Sequence, residues 1–326
     1  MNIRSAPRTL AVATTALLAL GGVTACSDDG TAGADPQRVD VVAAFYPLQF
    51  LAERIGGDAV KVTNLVKPGA EPHDLELSLG QVGQVVEAEL VVLLKGFQPA
   101  LDEAVEQNAG DRAFDVSTVQ PLRDAAAGGH DHEGGEHGHP EESGKAEEPG
   151  HEQGGAKDPH LWLDPTRLAT VGDKLAERLG RADPDRAADY TARAAALRAE
   201  LAKLDAEFTA GLKTCQRREI VVSHTAFGYL TERYGLEQIG ITGLSPENEP
   251  APQRLAEVIE EARKHRATTI FFETLVSPKV AETIAKQVGA KTAVLDPLEG
   301  LSTDGGDYLS VMRTNLATLR TALSCQ

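Results

Sequence analysis

DPDRAADYTARAAALRAELAKLDAEFTAGL, running from Asp183 to Leu212, is the stretch on which the fold turns. Asp183-Pro184 reads as a helix start, with Asp as the N-cap and Pro at the first helical position. Tyr190, Leu197, Leu201, Leu204, Phe208 and Leu212 then recur at helical spacing and keep one face apolar. A helix from Pro184 to Leu212 would be about 43 Å long at ~1.5 Å per residue. That is long for a crossover inside one sheet and suits a strut between two domains. The competing reading is an ordinary long surface helix.

The sequence on either side supports the strut. Upstream, Asp164-Pro165 opens a helix whose apolar stripe is Leu168, Val171, Leu175 and Leu179, with Gly180 as its expected stop. Short apolar runs alternate with helical patterns in both halves. Strands are expected at Val39–Phe45, Val60–Val66, Leu90–Leu94 and Phe114–Val116, then at Glu219–Ser223, Gln238–Ile241, Thr268–Glu273 and Lys291–Leu295. Helices are expected at Leu48–Gly56, Gln253–His265 and Pro278–Val288. Strands alternating with helices imply parallel sheets built from βαβ units. The expected fold is α/β: two lobes with parallel-type sheets flanked by helices, joined by one long rigid helix. The lobes are placed at residues 38–183 and 213–326, with the joining helix at 184–212.

The first residues read as an export signal. Arg4 and Arg8 precede a short apolar run, Leu10 to Val23, and then Val23-Thr24-Ala25-Cys26. The run falls short of the ~20 apolar residues that span a bilayer. Residues 1–25 are therefore a signal peptide. The last four residues resemble a bacterial lipobox, which implies cleavage before Cys26 and acylation of its thiol. Residues 26–37 form a polar tether. An ordinary secretory signal with an incidental cysteine is the alternative.

The formal charge is −17, from 32 basic and 49 acidic residues, and no basic stripe interrupts the acid. This argues against nucleic acid and against electrostatic binding to anionic lipid, leaving Cys26 as the membrane anchor. With Cys26 acylated, Cys215 and Cys325 remain, and an exported domain permits a disulfide between them. Two free thiols, or zinc ligation by the pair, are the alternatives. Neither cysteine has the close partner spacing of a structural zinc site.

Gly128 to His151 is a histidine-acid tract without apolar periodicity. It holds His130, His132, His137, His139 and His151, five of the nine histidines. Neutral imidazoles on an acidic loop attract zinc and similar metals. They read as auxiliary metal ligands.

Three further histidines stand alone near strand ends, where open α/β sheets bind ligands. His73 closes Pro68-Gly69-Ala70-Glu71-Pro72-His73, after the second strand. His160 sits in Asp158-Pro159-His160-Leu161-Trp162-Leu163-Asp164-Pro165, and His224 directly follows Ile220-Val221-Val222-Ser223. Asp296 follows Ala293-Val294-Leu295 in the same way, and Glu273 ends Thr269-Ile270-Phe271-Phe272. His73, His160, His224 and Asp296 converging on one cleft would make a tetrahedral zinc site. Each has a blander role open to it: a hydrogen-bonded histidine, or for Asp296 a turn before Pro297. His265, in Arg263-Lys264-His265-Arg266, belongs to a basic helix end and is set aside.

These motifs, with Phe45-Tyr46-Pro47, Ser223-His224-Thr225-Ala226-Phe227-Gly228-Tyr229 and Leu295-Asp296-Pro297-Leu298, resemble one family. It is the metal-binding lipoproteins of bacterial ABC importers, a solute-binding group with zinc-binding ZnuA-like and manganese-binding adhesin-like members. The resemblance runs from about Val39 to the C-terminus. It implies metal held between two lobes, with His73 and His160 from the first and His224 and Asp296 from the second. Manganese members commonly present a carboxylate at the position of His224, and imidazole there favours Zn2+. Some zinc members carry an acid directly before the first ligand. Here Pro72 stands in that place, so Asp296, Glu71 or water remains open as the fourth ligand.

The resemblance further implies a non-enzymatic, monomeric protein, lipid-anchored on the extracytoplasmic face of the cell membrane. It would deliver zinc to a permease driven by a cytoplasmic ATPase. The alternatives are a manganese or iron carrier, a surface adhesin of the same fold, and a zinc hydrolase. The last lacks a His-Glu-x-x-His helix.

Overall fold

The computed structural model describes residues 38–125, 156–300 and 306–326. Cys26, the lipobox, the tether and the five tract histidines lie outside the described residues.

Two four-stranded parallel sheets carry the architecture. The first is built from β1 (Val39–Ala43), β2 (Val60–Asn64), β3 (Leu90–Leu93) and β4 (Ala113–Asp115), in the order β2-β1-β3-β4. Helices α1 (Tyr46–Gly56), α2 (Leu79–Glu87) and α3 (Pro99–Asn108) make the crossovers. Every residue of β3 is buried, which is why it reads as a continuous Leu-Val-Val-Leu run instead of alternating. The second sheet repeats the plan: β5 (Glu219–Val222), β6 (Glu237–Gly240), β7 (Thr269–Phe272) and β8 (Lys291–Val294), in the order β6-β5-β7-β8.

Between the sheets lie α4 (Pro165–Ala182) and α5 (Ala187–Gly211). The Asp164 side chain caps α4 by accepting from the Thr166 N–H. Gly180 does not end this helix, which continues to Ala182. A Cβ at Gly180 would stand 3.0 Å from Cβ of Ala187, so the glycine lets the next helix start close by. The joining helix also begins later than its sequence suggests. Asp183 accepts from the Arg186 guanidinium and the Tyr190 hydroxyl, and Pro184–Arg186 is a tight 3-10 turn. The 25 residues of α5 still reach about 38 Å at ~1.5 Å each.

Contacts along α5 show how it serves both lobes. In its first half, Arg193 donates to the carbonyls of Ile55 and Gly56 at the end of α1. In its second half, Glu207 pairs with Arg313 of the C-terminal helix α9 (Tyr308–Leu323). Its apolar stripe of Tyr190, Leu197, Leu201, Leu204 and Phe208 is fully buried or nearly so. The second lobe is completed by α6 (Gly228–Tyr234), α7 (Pro252–Lys264) and α8 (Lys279–Val288). Cys215, just beyond α5, is bonded to Cys325, just beyond α9 (S–S 1.98 Å). Among the described residues, no helix is long and apolar enough to cross a membrane.

Candidate metal centre

The carboxyl ends of both sheets face one cluster of side chains. His73 lies on the loop after β2, His160 on the segment leading into α4, His224 directly after β5, and Glu299 on the turn after β8. One ligand-capable atom from each lies within 4.8 Å of all the others. Oε1 of Glu299 stands 2.9 Å from Nε2 of His160, 3.0 Å from Nε2 of His224 and 3.4 Å from Nε2 of His73. The His160 and His224 Nε2 atoms are 3.4 Å apart. Four ligands at zinc-like bond lengths of ~2.0–2.1 Å would sit about 3.4 Å from one another in a tetrahedron. The cluster is therefore of the right size for such an ion.

Two of the rings are held from behind. Nδ1 of His160 faces Oδ1 of Asp158 at 2.8 Å, and Nδ1 of His224 faces Oε1 of Glu273 at 2.6 Å. The Ser223 hydroxyl donates to the same Glu273 oxygen. A carboxylate at Nδ1 fixes that nitrogen as the donor and turns Nε2 toward the centre. His73 is seated differently. Its ring packs edge-on against Phe97, with centroids 4.6 Å apart, and its backbone N–H donates to Glu71. Gln98 holds the preceding carbonyl of Pro72 at 3.0 Å.

The charges agree with this geometry. Burial opposes protonation of His160, but Asp158 and Glu299 outweigh it and raise its pKa. Burial likewise works against His224, yet Glu299 and Glu273 carry its pKa well above the usual imidazole value. Burial would push Glu299 up, but His224, His160 and His73 hold it well below the carboxylate range.

Asp296, expected beside these histidines, stands apart from the cluster in this structure. Its Oδ1 accepts from the Leu298 N–H at 2.7 Å and its Oδ2 from the Thr274 hydroxyl at 3.3 Å, outside the histidine cluster. Leu298 adopts a left-handed backbone at φ 60°, and the capped turn swings the next residue, Glu299, inward. The turn is gripped from two sides. Asn315 of α9 bonds both backbone groups of Asp296, and the Trp162 indole donates to the Pro297 carbonyl at 2.7 Å. The only sequence signal for Glu299 was a second acid three residues beyond Asp296. Glu71 also stands off, 3.9 Å from Nε2 of His73. Burial, then contact with Glu247 and the charge of Glu299, push its carboxyl up to about 10, and both of its oxygens accept from the His73 N–H. His265 bonds Glu219 and Glu261 at the edge of its lobe, away from this cluster.

Residues 41–322 match the family model of the zinc-uptake complex component A, ZnuA, described as periplasmic. The chain belongs to the ZnuA family. Among curated relatives, it is 36% identical over 288 residues to the zinc-binding protein AdcA of Streptococcus pyogenes serotype M3, covering 87% of this chain and 56% of that protein. The chain thus spans little more than half the length of the first relatives it matches. It is 33% identical over 309 residues to the high-affinity zinc uptake system protein ZnuA of Bacillus subtilis, covering 92% of this chain and 93% of that one. The laminin-binding protein Lmb of Streptococcus agalactiae is described as bifunctional, with adhesin and metal-transporting activity. Its structure superposes with a TM-score of 0.73 at 30% identity, covering 87% of this chain and 99% of that one. The ZnuA fold thus agrees with the two-lobed α/β reading.

Proposed function

We propose that this ZnuA-family chain captures Zn2+ between its lobes, through His73, His160, His224 and Glu299, and hands it to an ABC-type permease for uptake. The convergence of three Nε2 atoms on one Glu299 oxygen carries the reading. Three imidazoles and a single carboxylate suit zinc; an oxygen-rich set would suit manganese. Four protein ligands leave no open position for a zinc-activated water, which argues against a hydrolase. The names of the AdcA and ZnuA relatives support the same cargo.

Capture requires neutral imidazoles at Nε2, so bound protons leave as the ion enters. Asp158 and Glu273 keep the Nδ1 protons in place, and Glu299 turns from a partner of the rings into a ligand. The lobes are tied by α5, so release proceeds through small local shifts. Acylation of Cys26 would hold the protein to the extracytoplasmic face of the membrane, and the tract histidines would gather zinc nearby.

Titration calorimetry on the chain without residues 1–25 tests this, using zinc and manganese, with and without residues 128–155. One tight zinc site is expected to survive removal of the tract and to vanish in His160→Ala. Tight binding that disappears with the tract would transfer the function to those histidines and refute the cleft site.

A further inference from the structure

The two stretches that bracket the histidine tract are paired. Asp124 and Lys157 form an antiparallel bridge, the Ala125 N–H donates to Ala156 O at 2.7 Å, and the Asp158 N–H donates to Arg123 O at 3.0 Å. This small ladder belongs to the first lobe by sequence, but the second lobe grips it. Arg123 donates from Nη1 to the Gly228 carbonyl and to Glu232 (2.9 Å), both in α6. Its backbone N–H donates to the Tyr229 hydroxyl at 2.9 Å, and that hydroxyl donates onward to the Asp158 carbonyl at 3.0 Å. The Tyr229 ring also meets two guanidiniums, Arg123 at 5.5 Å and Arg167 at 4.9 Å.

The grip ends on the carboxylate that orients His160. Asp158 is 2% exposed. Its Oδ1 takes both the backbone N–H and Nδ1 of His160, at 3.0 and 2.8 Å. Its Oδ2 lies 4.0 Å from Nε of Arg123, the only arginine or lysine within that range among the described residues. The same oxygen faces the backbone of Gly228, where an added Cβ would stand only 2.5 Å away. Burying a carboxylate is costly unless its oxygens meet hydrogen bonds or charge, and Arg123 lies on the Oδ2 side.

We propose that Arg123 is a positioning residue for metal retention: it ties the seating of α6 on the ladder to the orientation of His160, acting through Asp158. The inference rests on the ligand reading above. It gives small lobe shifts a route to the metal. When α6 draws back, Arg123 follows the Gly228 carbonyl, Asp158 loses its cation, and His160 loses the partner that aims Nε2. Displacement at the permease is thereby converted into a weaker ligand without wide opening.

The test measures zinc dissociation into excess chelator, and the visible spectrum with Co2+, both at one equivalent of metal on the full chain. Arg123→Ala is expected to speed dissociation about tenfold and to shift the cobalt bands, in line with the effect of outer partners on metal sites. Arg123→Lys keeps the charge beside Asp158 but loses the fork, and should recover part of the loss. Gly228→Ala removes no charge and no donor, yet its Cβ would crowd both Oδ2 of Asp158 (2.5 Å) and Nη1 of Arg123 (3.2 Å), and should act in the same direction. Arg313→Ala breaks a comparable tie, between α9 and α5, and should leave both readouts unchanged. If Arg123→Ala and Gly228→Ala lower only the melting temperature, with dissociation and cobalt spectrum within about twofold of the parent, Arg123 merely holds the lobes together and the inference is overturned. If Arg123→Ala fails to fold, Arg123→Lys and Gly228→Ala decide the question by the same criteria. If His160→Ala leaves the cobalt spectrum unchanged, the ligand reading itself falls, and this inference with it.

Discussion

His160 and His224 are built into the protein, whereas His73 is placed against it. Each of the first two is fully buried and backed at Nδ1 by a carboxylate that is itself only 2% exposed. His73 has a side chain 8% exposed, and among the described residues its Nδ1 has no hydrogen-bond partner. Its loop includes Gly69 in a left-handed conformation, where a Cβ would touch nothing. Two rings thus define the geometry of the proposed centre, one from each lobe. The third closes it and is the easiest to withdraw.

The largest effects should come from deleting rings, and the three deletions should differ in kind. Each alanine variant should cost more than about a hundredfold in zinc affinity, beyond the range of outer partners. Stability without metal separates them. His224→Ala leaves Glu273 buried with only the Ser223 hydroxyl, which should cost about 2–3 kcal/mol. His160→Ala should cost less because Arg123 still faces Asp158. His73→Ala strands no carboxylate behind its ring and should cost least. Urea unfolding of the metal-free variants reads this order, and a largest loss at His73 would break the contrast.

Titration with pH sharpens it. The raised pKa values of His160 and His224 mean that their protonated forms stabilise the metal-free protein. That contribution is complete below the ordinary imidazole value of 6.5 and is lost as pH rises through the raised values. Glu299 has the opposite sign. Its ionised form stabilises the fold above the ordinary value of 4.5, and this is lost as pH falls through its depressed value. From these groups the metal-free chain should be most stable near pH 5–6.5 and weaken toward alkaline pH. Zinc displaces the same protons, so affinity should rise with pH, by up to about tenfold per unit for each proton displaced. Calorimetric melting with and without zinc from pH 5 to 8.5 should show the two curves diverging. Parallel curves would mean that the paired rings are not the binding groups.

Neutralising the backing carboxylates should have a smaller effect. Asp158→Asn and Glu273→Gln keep shape and hydrogen-bonding capacity, but weaken the hold on the Nδ1 proton. Zinc affinity should fall about tenfold in each, at the low end of the range for outer partners. No matching substitution exists behind His73. A comparable loss on changing Gln98 to Ala, which frees the Pro72 carbonyl, would show that this ring is as firmly positioned as the other two.

Much of this is legible in the amino-acid sequence. The eight expected strands all formed, each within about two residues of its expected ends, because apolar runs bounded by helical patterns leave few other options. The three histidines stood out because each lay just past such a run or within a Pro-rich motif. The start of α5 was not legible, since the Arg186 and Tyr190 contacts to Asp183 tighten the chain only when all three meet. Nor was the grip of α6 on Arg123, which joins residues more than 100 positions apart. Glu299 was hidden for a local reason. The sequence marks Asp296-Pro297 as a turn, but a left-handed leucine at the next position is not something a sequence announces.

That turn supplies the smallest predicted effect. Asp296 shapes the chain that presents Glu299, so what matters is the acceptor at Oδ1 for the Leu298 N–H, and its charge is incidental. Burial already pushes its carboxyl up. Asp296→Asn retains an acceptor and should keep zinc affinity within about threefold, less than any outer partner that touches a ring. Asp296→Ala removes the cap, lets Leu298 leave its strained conformation, and should weaken zinc by loosening Glu299. Glu299→Gln should cost far more than either, because the three rings lose their shared negative charge. Calorimetric titration of the three variants ranks them. If Asp296→Asn proved as damaging as Glu299→Gln, the carboxylate of Asp296 would be a ligand after all, and the turn would have to rearrange when metal binds.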